Sequence, residues 1–272
     1  MINKNICYPS KGSFPSISIT GDKCYFSCIH CRQKYLKSMI HVEQKKLYCK
    51  AIELEKNGAK GILISGGLDK NGKVPIDYSV LKKIKEDTNL LINLHCGFIN
   101  KSDARLIKES NVDSVSLDFV GSNETIKNIL NMPFKVKDYE NNVKFLTEEN
   151  VNTIPHICVG LNQGKIVGEY NSLKILKKYP INSITLLVLI KNEMEKTKSV
   201  NYDIESIKNF FIYTRKEFPK VKLSLGCMRP RIKELDETAL LFDSIVNPTK
   251  NMIKLIRNEY GIVIQEICCS LC

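Results

Sequence analysis

Short β-branched runs alternate along the chain with longer stretches in which apolar residues recur at helical spacing. Residues 16–20 read Ser-Ile-Ser-Ile-Thr and residues 61–65 read Gly-Ile-Leu-Ile-Ser, while 42–57 between them are amphipathic with a helical period. The alternation continues. Further strands are predicted at 91–95, 114–118, 153–159, 183–190, 222–226 and 243–246, and helices at 78–86, 102–110, 139–149, 165–178, 204–218 and 248–260. Several of these helices stop at Gly, Asn or Pro, which do not propagate a helix. Alternating β and α elements bury their apolar faces as a parallel sheet covered by helices, an α/β fold. Eight units in about 250 residues predict a single (β/α)8 TIM-type barrel, with a partial (β/α)6 barrel as the alternative. The pattern contains no linker. Residues 1–260 are therefore expected to form one barrel domain, and 261–272, ending Cys-Cys-Ser-Leu-Cys, a short Cys-rich C-terminal tail outside the barrel strands that folds over the mouth.

Composition narrows the class. With 272 residues, 43% hydrophobic and 26% charged, the chain is neither disordered nor collagen-like. Its longest uncharged apolar run, 181–190, is far short of the roughly 20 residues that cross a bilayer. The N-terminus lacks a continuous apolar signal region, so a cytoplasmic protein without a membrane partner is expected. Forty-one Lys and Arg against 29 Asp and Glu leave +12, which suits an acidic partner. Nucleic acid is a weaker match, because no appended basic module or aromatic-rich binding strand is present.

Eleven cysteines in a reduced compartment point to metal or redox chemistry rather than disulfides. Cys24-Tyr-Phe-Ser-Cys28-Ile-His-Cys31 directly follows the first predicted strand, on the end of a barrel where active sites are built. Three soft thiolates leave one iron of a [4Fe-4S] cluster open to another ligand. Zinc is the alternative, but zinc sites usually pair two CxxC-like halves, and none lies nearby. Cys227, Cys268, Cys269 and Cys272 form a later group. If the tail crosses the mouth, these four suffice for an auxiliary [4Fe-4S] cluster or a zinc; otherwise they are buried or disordered thiols. Adjacent Cys268 and Cys269 do not easily share one metal, which leaves one of them spare. Cys96 and Cys158 read as core residues, and Cys7 and Cys49 have no assigned role. Arg229 and Arg231, beside Cys227, are candidates for binding a carboxylate, or else surface charges at a helix or sheet end. His95 and His156 are satisfied barrel-mouth residues or substrate contacts.

The CxxxCxxC spacing, with His30 before its last cysteine, resembles the signature of the radical S-adenosylmethionine enzymes. Ser65-Gly66-Gly67 looks like that family's glycine turn for the methionine amino group, with Leu68 where an acid often follows. Asp118 stands where members place a polar residue on the ribose. Gly164-Lys-Ile166-Val-Gly168-Glu169 looks like the adenine-side GxIxG element, with its acid displaced. The resemblance implies a [4Fe-4S] cluster on Cys24, Cys28 and Cys31, and S-adenosylmethionine held by Ser65, Gly66, Gly67, Asp118, Gly164, Ile166, Gly168 and Glu169. It also implies an electron donor such as ferredoxin or flavodoxin. The cofactor generates the radical, so no catalytic side chain is assigned, and the protein positions and shields it.

An auxiliary cluster at the mouth, together with residues 186–197, resembles the biotin synthase and lipoyl synthase branch, where that cluster donates sulfur to a carbon radical. The longer pattern includes Val120-Gly121, Pro155-His156, Gly226-Cys227-Met228-Arg229-Pro230-Arg231, Val246-Asn247-Pro248 and the Cys268-Cys269 tail. It is most similar to one subunit of the two-protein archaeal-type lipoyl synthase. The N-terminal auxiliary cysteine motif and C-terminal serine motif of the single-chain enzyme are missing. The resemblance implies hydrogen abstraction from an octanoyl chain on a carrier-protein lysine and sulfur insertion, with a related radical SAM partner subunit and an acidic lipoyl/octanoyl carrier domain. Three other readings remain: a second cluster for electron transfer or substrate anchoring, RNA thiolation, and a non-enzymatic iron-sulfur carrier. Cleavage of S-adenosylmethionine separates the last from the rest.

Overall fold

A computed structural model describes residues 3–190 and 201–272. Its strands are β1 (Asn3–Cys7), β2 (Ser16–Ser18), β3 (Ile40–His41), β4 (Gly61–Ser65), β5 (Leu91–Leu94), β6 (Ser114–Asp118), β7 (Thr153–Val159), β8 (Ser183–Val188), β9 (Lys222–Leu225), β10 (Ser244–Val246) and β11 (Gly261–Gln265). The helices are α1 (Lys34–Lys37), α2 (Leu47–Lys56), α3 (Tyr78–Asp87), α4 (Lys101–Glu109), α5 (Asn123–Asn128), α6 (Val136–Glu148), α7 (Glu169–Leu176), α8 (Ile204–Glu217) and α9 (Lys250–Glu259). Helix starts are marked where the sequence supplies an acceptor: Asp77, Asn100, Ser122, Asp203 and Thr249 each cap a free backbone N–H.

All ladders are parallel, in the order β11-β1-β10-β9-β8-β7-β6-β5-β4-β2-β3. Residues such as Ile17, Ile62, Ile64, Ile92, Val115, Ile184 and Leu223 are fully buried, as expected of parallel strands covered on both faces. Helices follow the sheet, α2 against α3, α3 against α4, α4 against α6 and α6 against α7. Among the described residues no ladder joins β3 to β11, so the sheet curls into an incomplete barrel. Of the two forms the alternation allows, the partial one is present and the closed one is not.

The eight expected strands correspond to β2 and to β4 through β10. The structure adds β1, β3 and β11. Residues 3–7 read Asn-Lys-Asn-Ile-Cys, with too little apolar character to reveal a strand. Their burial comes from remote partners: β10 and β11 flank β1, and Lys4 Nζ donates to Leu240 O at 3.0 Å and Phe242 O at 2.5 Å. The tail is also corrected. Residues 261–265 pair in parallel with β1, Asn3 opposite Gly261 and Cys7 opposite Gln265, because β1 presents an edge that the α9 crossover brings within reach. Of the stretch 186–197, Leu186–Val188 end β8, whereas residues 191–197 lie outside the described residues.

Candidate metal and cofactor site

In a parallel sheet every C-terminal strand end faces the same side, where irregular loops can converge. The loop leaving β2 carries Cys24, Cys28 and Cys31. It is folded tightly, with Cys31 N and Arg32 N both donating to Cys28 O, and Arg32 and Gln33 at positive φ. The end of β4 clamps it. Gly67 N donates to Thr20 Oγ1 at 2.7 Å, Tyr25 N to Leu68 O at 2.8 Å, and Leu68 N to Cys24 Sγ at 3.4 Å. A Cβ on Gly67 would lie 1.9 Å from Lys23 O and 2.7 Å from Cys24 Cα, so only glycine permits this approach. A cavity of about 710 Å³ opens beside Cys24 and is lined by Thr20, Lys23, Gln33, Gly67, Leu68 and Asp69 among others.

The donor set fits an iron-sulfur cluster. A backbone N–H aimed at a sulfur stabilises its thiolate, and three thiols on one loop suit soft iron. Burial pushes Cys28 up to about 12, and the neighbouring Cys31 and Cys24 add to the rise. Ligation to iron would release those protons and relieve the repulsion. Asp118, exposed at the end of β6, faces the same space: its charge raises the Cys28, Cys31 and Cys158 thiols. An aromatic wall of Phe26, Phe134, Phe98 and Tyr139 backs the loop.

The segment that resembles the adenine-side element forms a glycine turn after β7. Gly160, Gly164 and Gly168 all have positive φ. Gly168 packs on Gly121 and Ser122, where a Cβ would come within 2.5 Å. The Glu169 carboxylate turns inward: its Oε1 accepts from Gly160 N at 2.8 Å, its Oε2 has no partner, and burial raises its pKa. It closes the 160–169 turn. Ile166 packs partly buried on the core.

Polar side chains line the interior of β5, β6 and β7, and the tail reaches them. Ser270 meets Asn93 Nδ2 at 3.4 Å, Ser116 Oγ at 2.5 Å and His156 Nε2 at 3.2 Å. His95 and His156 stand edge to face, 5.8 Å apart. Burial, and then the charge of His95, pushes His156 down to about 3, and burial lowers His95 as well, so His156 meets the tail as a neutral ring.

The second cysteine group is rearranged relative to the sequence expectation. Cys227, Cys269 and Cys272 do converge, but with Cys7 rather than Cys268. Cys7 and Cys272 are joined by a disulfide, Cα to Cα 6.0 Å. Cys268 instead hydrogen bonds with Asn93. Arg229 is also reassigned. It is 4% exposed, and its guanidinium donates to Gly226 O, to Val246 O at 2.8 Å and to Asn247 O at 3.1 Å, which binds the ends of β9 and β10 together. Its forks are filled by carbonyls, so it is no carboxylate receptor. Arg231 is exposed. Tyr35, which the sequence pattern did not single out, feels a cysteine of each group: burial pushes it up to about 12, followed by the charges of Cys158, Cys31, Asp118 and Cys227.

A curled parallel half-barrel with a thiolate loop at its strand ends defines a class of iron-sulfur enzyme. The chain belongs to the radical SAM superfamily, whose family model matches residues 18–165, from β2 into the loop after β7. No curated protein matches the sequence. Among solved structures, methylornithine synthase (PylB) is similar over 98% of this chain and 73% of its own, at 12% identity and a TM-score of 0.62. The FeFe-hydrogenase maturase HydG from Carboxydothermus hydrogenoformans matches over 96% and 67%, at 14% identity and a TM-score of 0.67. SuiB from Streptococcus suis, bound to S-adenosylmethionine, matches over 95% at 12% identity and a TM-score of 0.62, and there this chain spans only 59% of the other. At such identities the likeness is one of fold. No described helix is long and apolar enough to cross a membrane.

Proposed function

We propose that this radical SAM enzyme inserts sulfur into an octanoyl chain held on a carrier-protein lysine, as one subunit of a two-protein lipoyl synthase. What supports the reading is the presence of two cysteine groups at one end of the sheet, Cys24, Cys28 and Cys31 after β2, and Cys7, Cys227, Cys269 and Cys272 past the ends of β1, β9 and β11. One would hold the radical-generating cluster and the other a cluster that supplies sulfur. The excess of positive charge and the exposed Arg231 suit an acidic carrier domain, with a related radical SAM subunit and a ferredoxin or flavodoxin as further partners.

When bound, the [4Fe-4S] cluster and S-adenosylmethionine supply a 5'-deoxyadenosyl radical able to remove a hydrogen atom from carbon. The chain does the rest. Cys24, Cys28 and Cys31 would hold the cluster, and Leu68 N–H fixes the Cys24 sulfur. The turn at Ser65, Gly66 and Gly67 would hold the methionine end, and Asp118 would offer a carboxylate to the ribose hydroxyls. Phe26, Phe98, Phe134 and Tyr139 keep water from the loop.

The test is an anaerobic reaction of the reconstituted chain with its partner subunit, dithionite and an octanoyl-lysyl carrier domain. The expected result is 5'-deoxyadenosine together with a carrier mass increased by sulfur. Formation of 5'-deoxyadenosine with no sulfur on the carrier would overturn the sulfur-insertion reading and favour electron relay by the second group.

A further inference from the structure

Four thiols from three distant parts of the chain meet at one edge of the sheet. Cys7 ends β1, Cys227 lies just past β9, and Cys269 and Cys272 follow β11. Because β1, β9, β10 and β11 all run parallel, their C-terminal ends coincide in space, with Cys7 in register with Val246 on one side and Gln265 on the other. Cys7 is fully buried and Cys272 nearly so, packed with Val246, and Cys227, Ile267 and Cys269 close over them.

The tail decides between the adjacent cysteines. Cys272 N donates to Cys268 O at 2.9 Å, and past this turn Cys269 and Cys272 pack into the thiol group while Cys268 lies outside it. Their spacing is that of a CxxC metal-ligand pair. Cys268 hydrogen bonds with Asn93 on β5, and the Cys227 charge reaches it as well.

A second observation points to an anion. The buried Arg229 cation lies two residues from Cys227 and is bonded to the carbonyls of Gly226, Val246 and Asn247. Among the described residues it forms no salt bridge; the buried Asp236 and the Cys227 thiol are the groups of opposite sign that act on it from nearby. A thiolate-ligated iron-sulfur cluster carries the sign that this cation favours.

We propose that Cys7, Cys227, Cys269 and Cys272 are the protein ligands of the auxiliary [4Fe-4S] cluster, and that Cys268 is not. The proposal rests on the two-cluster reading above and names its ligands. The Cys7–Cys272 disulfide and the cluster are alternative uses of the same sulfurs. Two electrons and two protons from a dithiol reductant convert the disulfide to two thiols, and ligation by all four thiols then releases four protons. Conditions that keep Cys24, Cys28 and Cys31 as ligands also keep this pair reduced.

The experiment uses the full chain with Cys24, Cys28 and Cys31 all changed to Ala, reduced with dithiothreitol and reconstituted anaerobically with iron and sulfide. About four irons per chain are expected, with the Mössbauer signature of a cubane. Adding Cys7→Ala or Cys269→Ala should abolish that signature, and adding Cys268→Ala should leave it intact. A cubane retained without Cys7, or lost with Cys268, overturns the ligand set, as does an iron-free chain holding one zinc. Folding is controlled in a chain with the first loop intact, where Cys7→Ala should keep about four irons and the wild-type circular dichroism spectrum. If that chain does not fold, Cys7→Ser replaces it; a shifted electron paramagnetic resonance spectrum is expected, and an unchanged one overturns the assignment. Sulfur transfer is scored separately. A ligand set that holds while wild type transfers no sulfur removes only the sulfur-donor role. Retained iron and sulfur transfer in Cys7→Ala removes only the ligand assignment.

Discussion

Replacing Gly67 with Ala tests whether the end of β4 positions the cluster loop. The added Cβ would stand 1.9 Å from Lys23 O, against the 3.0 Å that real Cβ atoms keep, and its other contacts are Cys24 Cα and Cβ at 2.7 Å. None of these belongs to the tip of a flexible side chain, so the Cys24 loop must retreat by about 1 Å. That movement stretches the Leu68 N to Cys24 Sγ and Gly67 N to Thr20 Oγ1 bonds. Overpacking of this kind costs about 1–3 kcal/mol, and an error of about 1 Å at a reacting centre costs about 100-fold in rate. The assay is 5'-deoxyadenosine formation with dithionite, run beside urea unfolding and iron content. Gly12→Ala is the control, because its Cβ meets only Ser10 Oγ, at 3.7 Å. A Gly67→Ala chain with the wild-type rate and midpoint would refute the argument that this approach holds the loop.

Other consequences are as direct. Cys28→Ala should remove the first cluster's iron and abolish 5'-deoxyadenosine, as read by iron analysis and chromatography. Arg229→Met leaves the Gly226, Val246 and Asn247 carbonyls unpaired and should destabilise the fold by about 3 kcal/mol or more in urea, whereas exposed Arg231→Ala should change it by less than about 0.5 kcal/mol. His156 has a lowered pKa, so the folded chain binds fewer protons than the unfolded one. Its stabilising contribution is full above about 6.5 and is lost as pH falls through about 3, and His156→Gln should flatten that acid slope in unfolding titrations. Glu169 shifts the opposite way. Its contribution is present below about 4.5 and is lost as pH rises through its raised pKa, so Glu169→Gln, whose amide oxygen still accepts from Gly160 N, should gain stability over wild type at pH 8 but not at pH 4.

The alternation of elements and the first thiol loop were legible in the sequence because both are local. A parallel strand covered on both faces must be an apolar β-branched run, and Gly61–Ser65 or Ser183–Val188 carries that signal by itself. Cys24, Cys28 and Cys31 lie within eight residues, a spacing short enough that one loop necessarily gathers them. Gly67 was legible as a turn glycine, although its physical reason, the backbone of Lys23 and Cys24 pressed against it, was not.

Tertiary structure decided what depends on distant partners. β1 is polar in sequence, and it is a strand because β10 and β11 flank it. Arg229 and Glu169 looked like ligand-facing charges, yet burial against backbone carbonyls and the Gly160 N–H turned both inward. Cys7 carried no signal, since its neighbours in the thiol group stand more than two hundred residues away and Cys272 is separated from it by 265. Local periodicity encodes which face of an element is buried. Which remote group a buried atom meets is set only when parallel strand ends are brought side by side, and only the folded chain does that.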